Sequence, residues 1–380
     1  MRKISIIFIF LFTTLISCQQ DKKKDLDIQD QIKVGVFDKY GICPYCIIDV
    51  VESLKIDAQI DVSTISAADI ELGILDNIDV FIFPGGSGRV EMANLGDQAQ
   101  QRVIDFVKKQ GKGVIGICAG AYVLTETPNY PCLSLSAAEA IDIEHDNRGH
   151  GLVEFSLTEI GENYFPELKG RGVLHSQYYE GPVLIPAIDS KYQYTELATM
   201  ISDVHTVKGA PKGMTVNKPF IILTNIEKGK TISVVGHPES TAGMRWMIPR
   251  LVRIITEKEL ISYPNQVVRP EIYSHEILFT QAQLLKQKEE KGKLLGTKEE
   301  KMEAMQEIVD MSAWLAKRWV PPMIRDQDFE VRLLAAQLIV FLERTETIPD
   351  MIAAVKNESN SKNKELLHEQ LDLLLAIHAK

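Results

Sequence analysis

Between residues 32 and 117, short apolar runs alternate with stretches of helical spacing, and this alternation restricts the fold more than any other feature. IKVGVF (32–37) is a β-run, CIIDVVESL (46–54) has helical spacing, and AQIDVSTI (58–65) reads as a second strand. IDVFIFPGG (78–86) is a buried strand ending in a Gly-rich turn. DQAQQRVIDFVKKQ (97–110) gathers Val103, Ile104, Phe106 and Val107 on one helical face, and GVIGI (113–117) is apolar throughout. Strands with no polar face need cover on both sides, which predicts a mostly parallel sheet in a three-layer α/β sandwich. Ligands gather at the carboxyl ends of such strands, so loops 38–45, 84–88 and 118–120 are expected along one edge.

Further along, GLVEFSLT (151–158), PFIILTNI (219–226) and KTISVVG (230–236) extend the sheet with inserted hairpins, and 190–201 adds antiparallel strand. Residues 240–260 read as a closing amphipathic helix in which Pro249 is expected to make a kink. ISYPNQVVRPE (261–271), with Pro264 and Pro270, reads as a linker. The β-signal then stops, and helices are expected at 274–295, 298–318, 329–344, 347–357 and 362–378. DFEVRLLAAQLIVFL (328–342) resembles a HEAT-type helix, although the tail holds two such units at most. The expected organisation is an address segment 1–17, a tether 18–31, an α/β domain 32–258, a linker 259–273 and a smaller all-α domain 274–380. A helical tail of this kind offers a surface for a protein partner. The net charge of −10 argues against nucleic acid as a partner.

The address segment together with Cys18, the residue after it, is MRKISIIFIFLFTTLISC. Arg2 and Lys3 precede the apolar stretch Ile4 to Ile16, which is short for a membrane span, and Leu15-Ile16-Ser17-Cys18 follows. This resembles the lipobox of bacterial lipoproteins. The resemblance implies cleavage before Cys18, acylation of that cysteine (palmitate among the chains) and anchoring to a cell-envelope membrane, on its periplasmic side or at the cell surface. A plain membrane anchor and an ordinary secretory signal are the alternatives. Of the chain's five cysteines, four lie beyond this segment, too few for a disulfide scaffold at 380 residues.

Chemistry concentrates at Gly116-Ile117-Cys118-Ala119-Gly120. A nucleophile on a sharp strand-to-helix turn projects from the sheet edge, and its flanking glycines avoid clashes inside the turn. The position sets the thiol over a helix N-terminus, which favours thiolate. The Ala119 N–H can face a developing oxyanion, and the PGGSG loop (84–88) offers a second donor at Gly86, with Gly85 as the nearest substitute. His237 follows the strand KTISVVG and so reaches the same edge. Glu239, two residues later, can orient the imidazole, giving a Cys118–His237–Glu239 triad.

In that order, these motifs resemble the class I glutamine amidotransferase-like superfamily, with its Gly-x-Cys-x-Gly followed far downstream by His-x-Glu. GICAGAY (116–122), GHPE (236–239) and PGGSG are more closely similar to the N-terminal amidotransferase-like domain of some biotin–protein ligases. The resemblance spans roughly 32–256 and implies a flavodoxin-like fold and attack on a carboxamide. The ligase catalytic half is absent, and so is an ammonia-using synthetase. The expected activity is hydrolysis of a small amide or a γ-glutamyl or peptide amide through a thioester, with no cofactor. The alternatives are a non-catalytic ligand-binding lipoprotein and a thiol-redox protein.

The redox alternative rests on Cys43-Pro44-Tyr45-Cys46, which looks like a glutaredoxin active site; a local disulfide is the first expectation, then a redox-active pair, then free or metal-bound thiols. His145, Asp146 and His150 read as a polar loop rather than a metal site, since no third ligand is placed. HSQYYEGP (175–182) is expected to line the substrate pocket through Tyr178, Tyr179 and Glu180, and Gly85 is a further candidate for substrate contact. GMRWMIP (243–249) reads as core, with Arg245 able to meet a carboxylate.

Overall fold

The computed structural model describes residues 31–38 and 43–378; the address segment, Cys18 and the tether to residue 30 lie outside the described residues. Among the described residues no helix is long and apolar enough to cross a membrane.

The first part of the chain is built as its apolar runs require. Strands β1 (Ile32–Phe37), β2 (Ile60–Ile65), β3 (Val80–Phe83) and β4 (Gly113–Ile117) alternate with helices α1 (Pro44–Leu54), α2 (Ala67–Glu71), α3 (Gly88–Lys108) and α4 (Ala119–Leu124). The four strands pair in parallel in the order β2-β1-β3-β4. Every residue of β3 and β4 is buried, because helices cover both faces. Helix α3 starts nine residues before the expected point, and Gly96 (φ 71°, ψ 162°) breaks it into two helices end to end.

The middle of the chain contributes β5 (Ala138–Ala140), β6 (His150–Leu157), α5 (Glu159–Tyr164), β7 (Val173–Tyr179), β8 (Leu184–Pro186), β9 (Tyr194–Met200), β10 (Pro219–Ile226), β11 (Gly229–Val234) and α6 (Met247–Ile255). Strand β11 runs parallel to β4 and antiparallel to β10. The chain's last strand, β12 (Ile277–Leu278), completes the sheet. One mixed sheet therefore runs β12-β6-β9-β10-β11-β4-β3-β1-β2, with β7 on β6, while β5 and β8 pair separately. Helices α1 and α6 cover one face, and α2, α3 and α4 the other. The α/β class with a helical tail is thus as the sequence indicates. Pro249 makes no kink: it is the third residue of α6, in a first turn whose N–H groups lack intrahelical partners anyway.

The last part departs further from pattern. Strand β12 is an edge strand antiparallel to β6, inside a stretch that reads as helix. Helices α7 (Gln281–Lys293), α8 (Lys298–Asp310), α9 (Ala316–Trp319), α10 (Phe329–Phe341), α11 (Ile348–Asn357) and α12 (Ser361–Leu375) follow. The expected helix 298–318 is broken between α8 and α9, where Ser312 has φ 50°. Between α6 and β12, Tyr263, Val267 and Val268 are buried, and the Tyr263 hydroxyl donates to Asp57 at 3.1 Å. Ile339, Met351, Leu367 and Leu374 of the tail belong to the same apolar cluster as the sheet.

A buried ionic clamp adds to that contact. Asp49 on α1, fully buried, accepts from Lys317 Nζ at 2.7 Å and from Arg344 Nη1 at 2.6 Å. Both cations come from the tail.

Candidate active site

Cys118 sits at the junction of β4 and α4 with φ 53° and ψ −105°, a conformation that costs a residue with a side chain about 1–3 kcal/mol. The neighbouring glycines let the turn close. A Cβ on Gly116 would lie 2.3 Å from the Gly120 carbonyl oxygen, and one on Gly120 would lie 2.2 Å from the Phe83 oxygen. The Gly120 N–H donates to Pro84 O at 3.2 Å, tying the elbow to the loop that carries Gly86. The Cys118 N–H donates to Val234 O at 2.8 Å. That bond fixes the elbow to the end of β11, three residues before His237.

His237 is held from several sides. Its N–H donates to Gln177 O at 2.7 Å, and its carbonyl accepts from Thr241 Oγ1 at 2.7 Å. Nδ1 lies 2.6 Å from Glu239 Oε1, with both side chains buried. Nε2 is therefore the nitrogen free for chemistry; it is buried and has no hydrogen-bond partner among the described residues. Burial alone would push this imidazole down, but the charges of Cys118 and Glu239 outweigh it and raise the pKa to about 10. An imidazolium beside the sulfur is the form needed to protonate a leaving amine. Cys118 Sγ lies 3.3 Å from Tyr179 O.

Cys118 and His237 open into a cavity of about 750 Å3 lined on the sheet side also by Cys43, Cys46, Gly86 and Tyr179. The opposite wall comes from the tail, through Gln287 and Lys288 of α7 and through Trp314, Arg318 and Trp319 around α9. Trp314 is the keystone of this roof. Its ring centroid lies 4.6 Å from that of His237 and 5.7 Å from that of Tyr179. Lys317 Nζ sits 3.5 Å from the Trp314 ring centroid, and Gln177 Nε2 donates to Ser312 O at 3.1 Å. A second recess of about 170 Å3 shares Gly86, Cys118 and Tyr179 with the first and adds Arg89, Ala119, Asp146 and Glu180. Burial, reinforced by Asp146 and opposed by Arg148, raises Glu180 to about 7.

The structure brings Cys118, His237, Glu239, Gly86 and Ala119 together at one sheet edge. Tyr178 is not part of the pocket. It is 1% exposed, donates to Gly181 O at 2.7 Å and accepts from Arg148, which pairs with Asp142 in the core. Strand alternation turns the next residue, Tyr179, into the cavity instead. Gly85 is a spacer rather than a substrate contact, because a Cβ there would lie 2.8 Å from His237 Cε1 and 3.2 Å from Cys46 Sγ. Cys43 and Cys46 are free thiols, so the disulfide expected first does not form in this structure. Loop 144–151 scatters its groups: His150 lines the larger cavity and Asp146 the smaller one. Arg245 stays in the core, where its guanidinium reaches the carbonyls of Glu343 and Asp49.

Gly85→Ala is expected to displace the imidazole and to lower turnover at least about tenfold, the effect of a misplaced catalytic group, with little change in thermal unfolding. Steady-state kinetics beside a melting curve checks this, and a Gly85→Ala chain with full activity would contradict the spacer role.

The roof residues Trp314, Arg318 and Gln287 are absent from the sequence reading. They lie in a run that reads only as amphipathic helix, and nothing local says that it folds back over the sheet edge.

With this geometry in hand, comparisons with known proteins add the following. The family model described as "Biotin-protein ligase, N terminal" matches residues 32–132, which takes in the first four strands and the Cys118 elbow and stops short of His237 and Glu239. No curated protein sequence matches the chain. Among solved structures, the chain is similar to a ThuA-like protein from Parabacteroides merdae at 12% identity, covering 62% of this chain and 94% of that one with a TM-score of 0.44. It is similar to a β-galactosidase from Bacillus circulans sp. alkalophilus at 15% identity, covering 60% of this chain and only 31% of that one, TM-score 0.35. It is also similar to the glutaminase domain of CTPS from Trypanosoma brucei, with bound acivicin, at 12% identity, covering 62% of this chain and 97% of that one, TM-score 0.41. At these scores none of the three bears on what this chain does.

Proposed function

We propose that this protein is a cysteine-dependent amide hydrolase acting on a small carboxamide, γ-glutamyl or peptide amide. One observation carries the reading: the positive-φ elbow at Cys118 and the His237–Glu239 pair, 119 residues apart in the chain, converge on one cavity through the β4–β11 pairing.

In this reading Cys118 gives its proton to His237 Nε2, the sulfur attacks the carbonyl carbon, and the oxygen takes up negative charge against the backbone N–H groups of Gly86 and Ala119. His237 Nε2 protonates the leaving nitrogen, and the C–N bond breaks to leave a thioester on Cys118. A water gives its proton to Nε2 and attacks the thioester; the C–S bond breaks, and the acid leaves. Glu239 holds Nδ1 and balances the imidazolium throughout. Water is the acceptor in this scheme. Trp314 and Tyr179, packed on each other with ring centroids 5.7 Å apart, give a substrate in the cavity an apolar wall.

The protein is exposed to a panel of γ-glutamyl and muropeptide amides and quenched in acid, and its intact mass is read. An acyl adduct on Cys118 is the expected result; a panel that leaves the mass unchanged while the substrates are consumed refutes the thioester. The same reading places the enzyme at a bacterial envelope membrane through an acylated Cys18. Metabolic labelling with a fatty acid tests this, and absence of label from Cys18 ends it.

A further inference from the structure

A second sulfur site shares the Cys118 cavity, and the hydrolytic scheme has no use for it. Cys43 is the N-cap of α1, with Pro44 and no acidic residue in the first turn. It is half-buried, while Cys46 is 3% exposed. The turn folds one over the other, with the Cys46 N–H donating to Cys43 O at 3.0 Å. Arg318 reaches across from the roof, with Nη2 3.5 Å from Cys43 Sγ and its guanidinium carbon 4.2 Å from the Tyr45 ring centroid.

These contacts divide the pair into unlike halves. A hydrogen bond from Cys46, assisted by Lys317 and Arg318, outweighs burial and lowers Cys43 to about 5. The same hydrogen bond, together with burial, pushes Cys46 well up. One thiol is an accessible nucleophile, and the other waits beneath it with its proton.

The cavity also tells what it would admit. Gln287 is 6% exposed, lines the same cavity, and its amide nitrogen has no hydrogen-bond partner among the described residues. Arg318 Nε is likewise buried and unpartnered among them. Lys288 completes a wall of donors facing the sulfurs. Such a wall fits a ligand rich in carboxylate or carbonyl oxygens.

We propose that Cys43 and Cys46 form a second reactive centre, a dithiol that exchanges with disulfides of small acidic thiols entering the Cys118 cavity. The Cys43 sulfur attacks one sulfur of the disulfide; the S–S bond breaks, and one acidic thiolate leaves. Cys46 then gives its proton to the second departing sulfur and bonds to Cys43. The incoming disulfide gains two electrons, and the protein dithiol becomes the Cys43–Cys46 bridge. Two equivalents of the acidic thiol run the steps in reverse and restore the dithiol.

The proposal is independent of amide hydrolysis, and a full-length Cys118→Ser chain separates the two. That chain is equilibrated with mixtures of glutathione and glutathione disulfide, quenched in acid, alkylated and mapped by mass spectrometry. A single Cys43–Cys46 bridge is expected, with Cys132 left free. Adding Cys46→Ser is expected to stop the reaction at a glutathione adduct on Cys43. Adding Arg318→Ala is expected to slow attack on glutathione disulfide about tenfold relative to attack on the cationic disulfide cystamine. The proposal falls if no bridge forms at any ratio, if Cys43 is alkylated no faster than Cys132, or if the arginine change slows both disulfides equally. Thermal unfolding accompanies each variant. Should Cys46→Ser fail to fold, the bridge and the Cys43 alkylation rate in the Cys118→Ser chain decide the matter.

Discussion

Cys118→Ala is expected to abolish adduct formation and to cut turnover by about 10^4-fold or more, the scale seen when a triad loses its nucleophile. The sulfur is the atom that bonds to the substrate, and the cavity supplies no substitute at that place: Cys43 and Cys46 rise from α1, against the Gly85 side of the imidazole. Binding of a non-hydrolysable amide should change little, because the wall of Trp314 and Tyr179 is untouched. Isothermal titration beside a rate assay separates the two effects. Residual turnover above about a tenth of the native rate would remove Cys118 from the reaction. The backbone adds an independent check. Alanine at φ 53° keeps the strain that cysteine carries, whereas glycine adopts such angles freely, so Cys118→Gly should be more stable than Cys118→Ala by about 1 kcal/mol.

Asp49→Ala is expected to be the most damaging change outside the cavity. It leaves Lys317 and Arg344 as buried cations without their carboxylate, and breaking such a cluster costs about 3–5 kcal/mol. Activity should fall with stability, since Lys317 also rests on Trp314, which in turn rests on His237. The pH dependence has a definite sign. Burial alone would raise the Asp49 carboxyl, but Arg344, Lys317 and Arg245 hold it well below the usual carboxylate range. Stability from this group is therefore complete above its unfolded pKa of about 4 and drains away as pH falls towards the folded value. Urea unfolding between about pH 7 and pH 3 should show a steeper acid loss in the native chain than in Asp49→Asn. Parallel curves for the two, or an Asp49→Ala chain within about 1 kcal/mol of native, would dissolve the clamp.

The parallel half of the sheet was legible because β1, β3 and β4 are apolar runs closed by a turn or a helix, and because the 113–122 stretch can form a tight elbow only with Gly116 and Gly120 in place. His237 was legible for the same reason, lying just past the apolar β11. Register inside β7 was not. Five of its seven residues are buried, so hydrophobicity carries no phase there, and of the two tyrosines expected in the pocket only Tyr179 reaches it. The roof was hidden more deeply. Trp314, Arg318 and Gln287 reach the site through contacts distant in sequence, among them Asp49 on α1 clasping cations that follow it by 268 and 295 residues and the tail's share of the sheet's apolar cluster. Pairings of that separation leave no trace in local pattern. Pro249 misled for a simpler reason, since helix geometry tolerates proline in a first turn and the start of α6 was placed too early.

The position of the roof in the chain has a consequence for how the protein comes to life. Translation delivers the elbow first and the imidazole 119 residues later, yet Trp314 emerges only after both, and Arg344 later still. A nascent chain thus holds Cys118 and His237 without the Trp314 wall until its final third has been made. The cavity is complete only once the tail reaches α1, so a chain cut short before that point has the sheet edge and no roof over it.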